Sequence, residues 1–465
     1  MVYLKSAWRK SWFSVIAFAF AFILLIGRAA DAQIYTVGPH GTYCNIQGAV
    51  NAAIGNPGTN EIHVEQGSYT ENIRILSMNS GSLTITGGWN DSFTARDTDN
   101  TLTTIDGNAA GRVIDIQISG GLLTIEGFTI ENGGNNTYGS GLNIETQNAA
   151  QVTINNNRIQ NNTSSGQSTM EGGGIHAYVQ NNTQLSITGN LISYNSVVST
   201  EGSCWGAGIN LNSYDNAVFN VTGNVIEGNS ATAFGWHEGV GFRLNTSSSG
   251  SSDFTGNTVR NNEANGTGYK QGIAGRIGIT STGGTITARR NLCIDNRNNG
   301  GGSSVDLELY THGTATLLFT DSVVAGASGD GIRFNPSDSS TLRLTNLTIA
   351  DNGGTGLYKY PVSGTASLYN TIIYNNTTNT NSLTGLDTGN NLIGVDPMFV
   401  NSAGREYRLM HGSPAINTGA NSPPGGLGSL DLAGNPRISN GTVDIGAYEY
   451  LPRAMPCVPL LLLDE

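Results

Sequence analysis

Apolar and polar residues alternate along this chain with a period of two, in short stretches that repeat. One twelve-residue pattern recurs nine times. It reads LLTIEGFTIENG from Leu122, QVTINNNRIQNN from Gln151, QLSITGNLISYN from Gln184, VFNVTGNVIEGN from Val218 and SSDFTGNTVRNN from Ser251. It continues as TITARRNLCIDN from Thr285, ATLLFTDSVVAG from Ala315, TLRLTNLTIADN from Thr341 and TASLYNTIIYNN from Thr365. The copies start 29, 33, 34, 33, 34, 30, 26 and 24 residues apart. Their fourth position holds Ile125, Ile154, Ile187, Val221, Phe254, Ala288, Leu318, Leu344 and Leu368. Their ninth holds Ile130, Ile159, Ile192, Ile226, Val259, Cys293, Val323, Ile349 and Ile373. Such alternation predicts strands with one apolar face, bent in the middle of each copy. The twelfth position is asparagine in seven copies and glycine at Gly133 and Gly326. Both tolerate left-handed backbone, so a sharp turn is expected there. Stacked asparagines would also hydrogen-bond along the stack.

A third short strand follows each turn, usually after glycine: GGGIHAY ending at Tyr178, GAGINLN at Asn212, GVGFRLN at Asn245, then GIRFN from Gly331 and GLYKY from Gly356. Three strands and their turns make one coil. A single coil cannot bury its own apolar face, but a stack of coils can, each strand pairing in parallel with its copies above and below. A hairpin-built sandwich would not keep such long columns in register. The expected fold is therefore all-β. In this register Ile192 and Ile226 are buried neighbours, and Cys293 is a buried free thiol.

Composition narrows the picture. Glycine, at 64 of 465 residues, is about twice as frequent as usual, and the charged share of 12% is about half the usual value. A helical bundle needs a charged outer face and is excluded. Net charge is −12, which repels phosphate backbones and argues against nucleic-acid binding. Residues 1–32 read as a signal peptide: Lys5, Arg9 and Lys10, then the apolar run FSVIAFAFAFILLIG, then Ala30-Asp31-Ala32 as a cleavage site. No later segment is long enough to span a bilayer. Cys44, Cys204, Cys293 and Cys457 are too few for a disulfide framework, and their spacing selects no pairing.

The nine copies resemble the right-handed parallel β-helix repeats of the pectin-lyase-like superfamily. That resemblance, with the crossover rule, implies a single-stranded right-handed parallel β-helix of about twelve coils. The opening YTVGPHGTYCNIQGAVNAA, from Tyr35, is similar to the start of such helices. A short capping helix over residues 46–53 would cover the first coil's strand edges. The C-terminal NLIGVDPMFV from Asn391, EYRLMHGSPAINTGA from Glu406 and DLAGNPR from Asp431 through VDIGAYEY resemble the choice-of-anchor Q segment of bacterial surface β-helix proteins. Matching residues include Asp396, Pro397, Phe399, Tyr407, Ser413, Asp431, Gly434, Arg437 and residues 444–449. Asn417 stands where aspartate is commoner in that pattern. The implied organisation is a leader (1–32), cap and first coils (33–80), β-helix (81–376), choice-of-anchor Q-like segment (377–450) and tail (451–465). The implied location is secreted, extracellular or associated with the bacterial cell surface or outer membrane.

Enzymes on this scaffold place carboxylates or a basic residue outward on adjacent coils. The tenth positions of the copies never supply two adjacent carboxylates, and a glycosidase needs two about 5–9.5 Å apart. In the third strand one outward column reads His176, Asn210, Arg243, then Gly278 or Arg276, Asp306, Arg333 and Tyr358. The next reads Tyr178, Asn212, Asn245, Thr280, Glu308, Asn335 and Tyr360. Asp306 and Glu308, two apart, should share a face and are weak metal candidates; a cross-strand ion-pair ladder is the competing reading. His176 reads as a solvated surface histidine sooner than a general base. Three consecutive loops are aromatic: SVVSTEGSCWGAG with Trp205, SATAFGWHEGVG with Phe234, Trp236 and His237, and EANGTGYKQGIAG with Tyr269 and Lys270. Ring faces stacked along the axis suit sugar rings, with Arg243 and Lys270 for carboxylates and Tyr178 alongside. The expected function is a non-catalytic glycan-binding, adhesion or envelope-structural protein, its partner a polysaccharide or envelope glycan. The alternative is a polysaccharide-processing enzyme resembling pectate lyases or other lyases. No cofactor is expected, with calcium left open.

Overall fold

The computed structural model describes residues 32–452. The leader up to Asp31 and the tail beyond Pro452, with Cys457, lie outside the described residues. Each twelve-residue copy folds alike. Its first five residues form one strand, as in Gln184–Thr188, and its eighth to tenth form another, as in Leu191–Ser193. The third strand follows, as in Ile209–Ser213. Each pairs in parallel with its counterpart one coil away, giving long sheets of 13, 14 and 12 strands and a parallel β-helix. We call them first, third and second sheet, following the chain around a coil as first, second, third. The expected pair Ile192 and Ile226 meets in register, both fully buried.

Two asparagine ladders hold the corners. Residues six and eleven of the copies take left-handed backbone: Gly189, Gly223 and Gly256 at six, Asn161, Tyr194, Gly228 and Asn261 at eleven. The left-handed turn is thus at position eleven, one residue before the expected twelfth. Position twelve instead points its amide inward. Asn195 Nδ2 donates to Ile159 O (2.9 Å) and to Asn229 Oδ1 (3.0 Å), and Asn229 repeats this towards Asn262. Position seven builds a second ladder from Asn157 through Asn190, Asn224 and Asn257 to Asn291. These amides pair the corner backbone groups that no strand partner reaches, which would otherwise cost about 1–3 kcal/mol each.

Two registers differ from expectation. The seventh copy begins at Thr316, one residue later, so that Phe319 and Val324 enter the core columns opposite Ala288 and Cys293. Leu318 faces outward, and Val323 joins a different cluster, packed under the C-terminal segment. In the third sheet a bulge spans Gln271 to Gly275, where Val305 and Leu307 are the paired residues. The outward column therefore reads Asn143, His176, Asn210, Arg243, Arg276, Glu308, Arg333, Tyr358. The next reads Tyr178, Asn212, Asn245, Gly278, Tyr310, Asn335. Gly275 is demanded by packing: a Cβ there would sit 2.1 Å from the Phe242 ring.

The N-terminal helix is Ile46–Ile54, its buried face Ile46, Ala49, Val50 and Ala53 lying against the strands Gln33–Val37, Thr59–Glu65 and Ile73–Leu76. Its free N–H groups are satisfied by the Glu71 carboxylate (2.8 and 2.9 Å) and by Asn45 Oδ1 (2.7 Å). Between coils, the strands Thr163–Gly166, Ser196–Ser199, Ser230–Ala233, Glu263–Asn265 and Arg297–Asn298 stack into a fourth, five-stranded sheet. Beneath it Met170, Val197, Cys204, Ala231, Ala264 and Ile273 form a satellite core. The C-terminal segment lies along the second sheet, burying Phe399, Tyr407, Ala415, Ile445 and Ala447 against Val323, Ala325, Ala350 and Ile372. Arg437, fully buried, ties it down by pairing with Asp321 (2.9 Å) and Glu449 (3.0 Å). Among the described residues no helix is long and apolar enough to cross a membrane.

Candidate functional site

The outward columns of the third sheet bring together His176, Arg243, Arg276, Glu308 and Arg333. Short strands at the ends of the loops, Met170–Glu171, Cys204–Trp205 and His237–Glu238, add a third column beside them. In register this column is Tyr138, Glu171, Trp205, Glu238, Gln271.

Two groups of polar side chains form along this face. Around His176, Nδ1 donates to Asn143 Oδ1 (3.0 Å) and Nε2 lies 3.4 Å from Glu171 Oε2. Asn143 donates onward to Asp115 (2.8 Å) and Glu145 (3.0 Å), and the tilted Tyr138 ring packs on His176 at 4.8 Å. His176 is buried, not the solvated histidine expected. Two coils on, Arg243 donates to Glu238 (2.8 Å), Asn210 (3.2 Å) and Asn212 (3.0 Å), under the Trp205 ring at 4.5 Å. Arg333 is held as tightly, by Asp330 (2.7 Å), Ser303 (2.6 Å) and the Tyr269 hydroxyl.

Between these two arginines the pairing is incomplete. Arg276 reaches only Glu238, at 3.3 Å, and its Nε is buried without a partner. Glu308, directly opposite Arg276 on the next coil, is 9% exposed. Its carboxylate receives no hydrogen bond from any described residue, and its Oε2 is buried and unpartnered. Burial pushes its pKa up, against the pull of Arg276 and Arg333.

The residues anticipated for a groove fall into different places. Trp236 and Tyr269 share a register, because His237 pairs with Lys270. Trp236 is 56% exposed and Phe234 beside it 75%. The Tyr269 ring turns along the axis instead, its hydroxyl 3.0 Å from that of Tyr360. Trp205 sits two residues along, over Arg243. Tyr178 is exposed and packs on Tyr214 at 4.9 Å. His237 and Lys270 are buried. Both side chains turn under the loops: His237 Nε2 meets Asn265 O, and burial lowers its pKa to about 4. Lys270 Nζ donates to Gly266 O and Gly301 O, both 2.7 Å, and is fully buried. Both thus face backbone carbonyls, and Arg243 faces Glu238, Asn210 and Asn212.

Asp306 and Glu308 do not share a face. Asp306 lies in the small-residue column of Gly241 and Gly331, where a Cβ would meet the asparagine rungs Asn262 and Asn352. The rung facing it on the next coil is Ala327 instead of asparagine, so the Asp306 carboxyl fills the gap, accepting from Ala274 N (3.2 Å) with its pKa raised to about 8 by burial. Among the described residues no three His, Cys, Asp or Glu gather as a metal site. One adjacent carboxylate pair does exist on the second sheet. Asp106, on a strand preceding the first repeat copy, stands in register with Glu131.

Comparison with known proteins adds little. No family model matches the chain, and no curated protein does. Among solved structures, the crystal structure of pectate lyase Pel9A aligns with a TM-score of 0.44 and 14% identity, covering 90% of this chain and 96% of that one.

Proposed function

We propose that this is an exported, surface-located β-helix protein that binds a glycan along the outer face of its third sheet without cleaving it. The observation that carries the reading is the composition of that face. Partly exposed rings (Tyr178, Trp205, Trp236, Tyr310) and amides (Asn245, Asn335) follow one another coil by coil, while Arg243 and Arg333 are saturated by protein partners. Successive coils are about 4.8 Å apart, close to the length of one sugar residue, so aromatic faces and amides recur at a spacing a glycan chain can follow. The leader-like residues 1–32 and the likeness of residues 377–450 to the choice-of-anchor Q segment support export and a surface location. The test is calorimetric titration with a panel of neutral and acidic polysaccharides. Wild type should bind at least one, and Trp236→Ala/Tyr178→Ala should lose roughly tenfold or more in affinity. Equal binding by the folded double variant would move the site elsewhere.

A polysaccharide-processing enzyme is the second reading. It is favoured by Asp106 and Glu131, adjacent outward carboxylates beside a polar cleft of about 470 Å³ that Asp106 lines with Asn108, Asn135 and Asn161. New reducing ends, or unsaturated ends absorbing in the ultraviolet, during incubation with the same panel would establish it.

A further inference from the structure

The polar face has one weak point in its pairing, and that point indicates what kind of sugar it takes. Three arginines and three carboxylates gather there: Arg243, Arg276 and Arg333 with Glu238, Glu308 and Asp330. Formal charge is balanced, so no surplus cation awaits an acidic ligand. Yet the hydrogen bonds are not balanced. Glu308 is buried among guanidinium groups and accepts none of their N–H donors, while Arg276 keeps a buried Nε with no acceptor. Buried charged groups normally complete their hydrogen bonds, because an orphan costs about 1–3 kcal/mol or more. In the neighbouring column the residue at the Arg276 coil is Gly278, between Asn245 and Tyr310. The missing side chain lets polar groups close in: Asn245 Oδ1 lies 3.2 Å from where a Gly278 Cβ would be, and the Arg276 guanidinium leans over the same position with Nη1 3.5 Å away.

We infer that Glu308 and Arg276 form a hydroxyl-recognition subsite for an uncharged sugar, seated over Gly278 beside the Tyr310 ring. A hydroxyl is the group that suits both partners at once. It donates its hydrogen to the Glu308 carboxylate and accepts through its oxygen from Arg276. A uronate carboxylate offers no hydrogen to Glu308, and it would meet Glu238 and Asp330 on either side with Arg243 and Arg333 already committed to protein partners. The ligand class is therefore a neutral glycan and not a polyuronate. This inference rests on the glycan-binding reading and deepens it.

The experiment titrates wild type, Glu308→Gln and Arg276→Gln against neutral β-linked oligosaccharides and against polygalacturonate, at low and high salt. Wild type should bind a neutral ligand with little salt dependence and ignore polygalacturonate. Glu308→Gln should weaken neutral-ligand binding about tenfold, because a charged acceptor becomes a neutral one. Thermal melting of each variant checks folding, and Glu308→Gln should melt no lower than wild type, since its orphan charge is gone. Salt-sensitive binding of polygalacturonate with no neutral ligand bound would overturn the neutral-sugar inference and keep the glycan reading. Unchanged neutral-ligand affinity in both folded variants would place the subsite elsewhere. No binding of either class would overturn the glycan reading itself.

Discussion

The corners of this β-helix and the outer face of its third sheet are both polar and both largely buried, but they treat their polar groups in opposite ways. At the corner each asparagine closes a circuit. Asn229 takes the N–H and the side-chain amide of Asn195, donates to Ile192 O and to Asn262 Oδ1, and leaves nothing open. On the face, saturated arginines flank an Arg276–Glu308 pair that stays open. Polarity alone therefore says little about function in a stacked protein. The incomplete circuit is the informative feature, because a site that must bind something else cannot spend all its groups on itself.

That contrast can be broken at its strong end first. Asn229→Ala should cost about 3–5 kcal/mol, because it orphans two donors of Asn195 and the Ile192 carbonyl at once. Chemical denaturation measures this, and a loss under 1 kcal/mol would show that the ladder is ornamental. The next prediction concerns Asp306, which lies where Ala327 interrupts the position-twelve ladder. Asp306 is buried with its pKa raised to about 8, so the folded state holds a proton that the unfolded chain has already released above pH 4. Stability contributed by this group is full below about pH 4 and declines as pH rises to about 8. Asp306→Asn should melt higher than wild type at pH 8, with the gap closing towards pH 4; a gap independent of pH would mean the carboxyl is not the titrating group. The smallest effect belongs to the open pair. Glu308→Gln should shift stability by no more than about 1 kcal/mol, and upward, because nothing in the fold bonds to the carboxylate it removes. A clear destabilisation would place Glu308 with the structural groups and close the comparison.

Much of the stack was legible in sequence, since the fourth and ninth columns carry the core, and the helix at Ile46 was implied by the likeness of the opening segment to β-helix starts. The errors have local causes. Leu317, Leu318 and Phe319 are all apolar, so a period of two fits either register, and packing chose the one that buries Leu317 and Phe319. Several copies carry asparagine at both positions eleven and twelve, as at Asn161–Asn162 and Asn261–Asn262, so composition could not say which one turns left-handed. Tyr194 at position eleven was the available signal. The bulge before Gly275 moved Arg276 and Glu308 into one column, and nothing in residue type announces a bulge. His237 and Lys270 looked like surface chemistry because loops usually are surface. Here the loops build the fourth sheet, and beneath it those side chains bond to backbone carbonyls. Asp106 escaped the search for adjacent carboxylates because its strand lies outside the repeat copies.

The paired ladders also set a grammar for insertions and deletions. Within a twelve-residue copy, one added residue would slide every later side chain off its rung, and both amide circuits would open. In the loops between copies, whose starts lie 24 to 34 residues apart, length can change without touching a rung. A whole added coil would leave both ladders continuous and extend the polar face by about 4.8 Å. The natural unit of change in this protein is therefore the coil, and the reach of its outer polar face can grow or shrink in steps of that size.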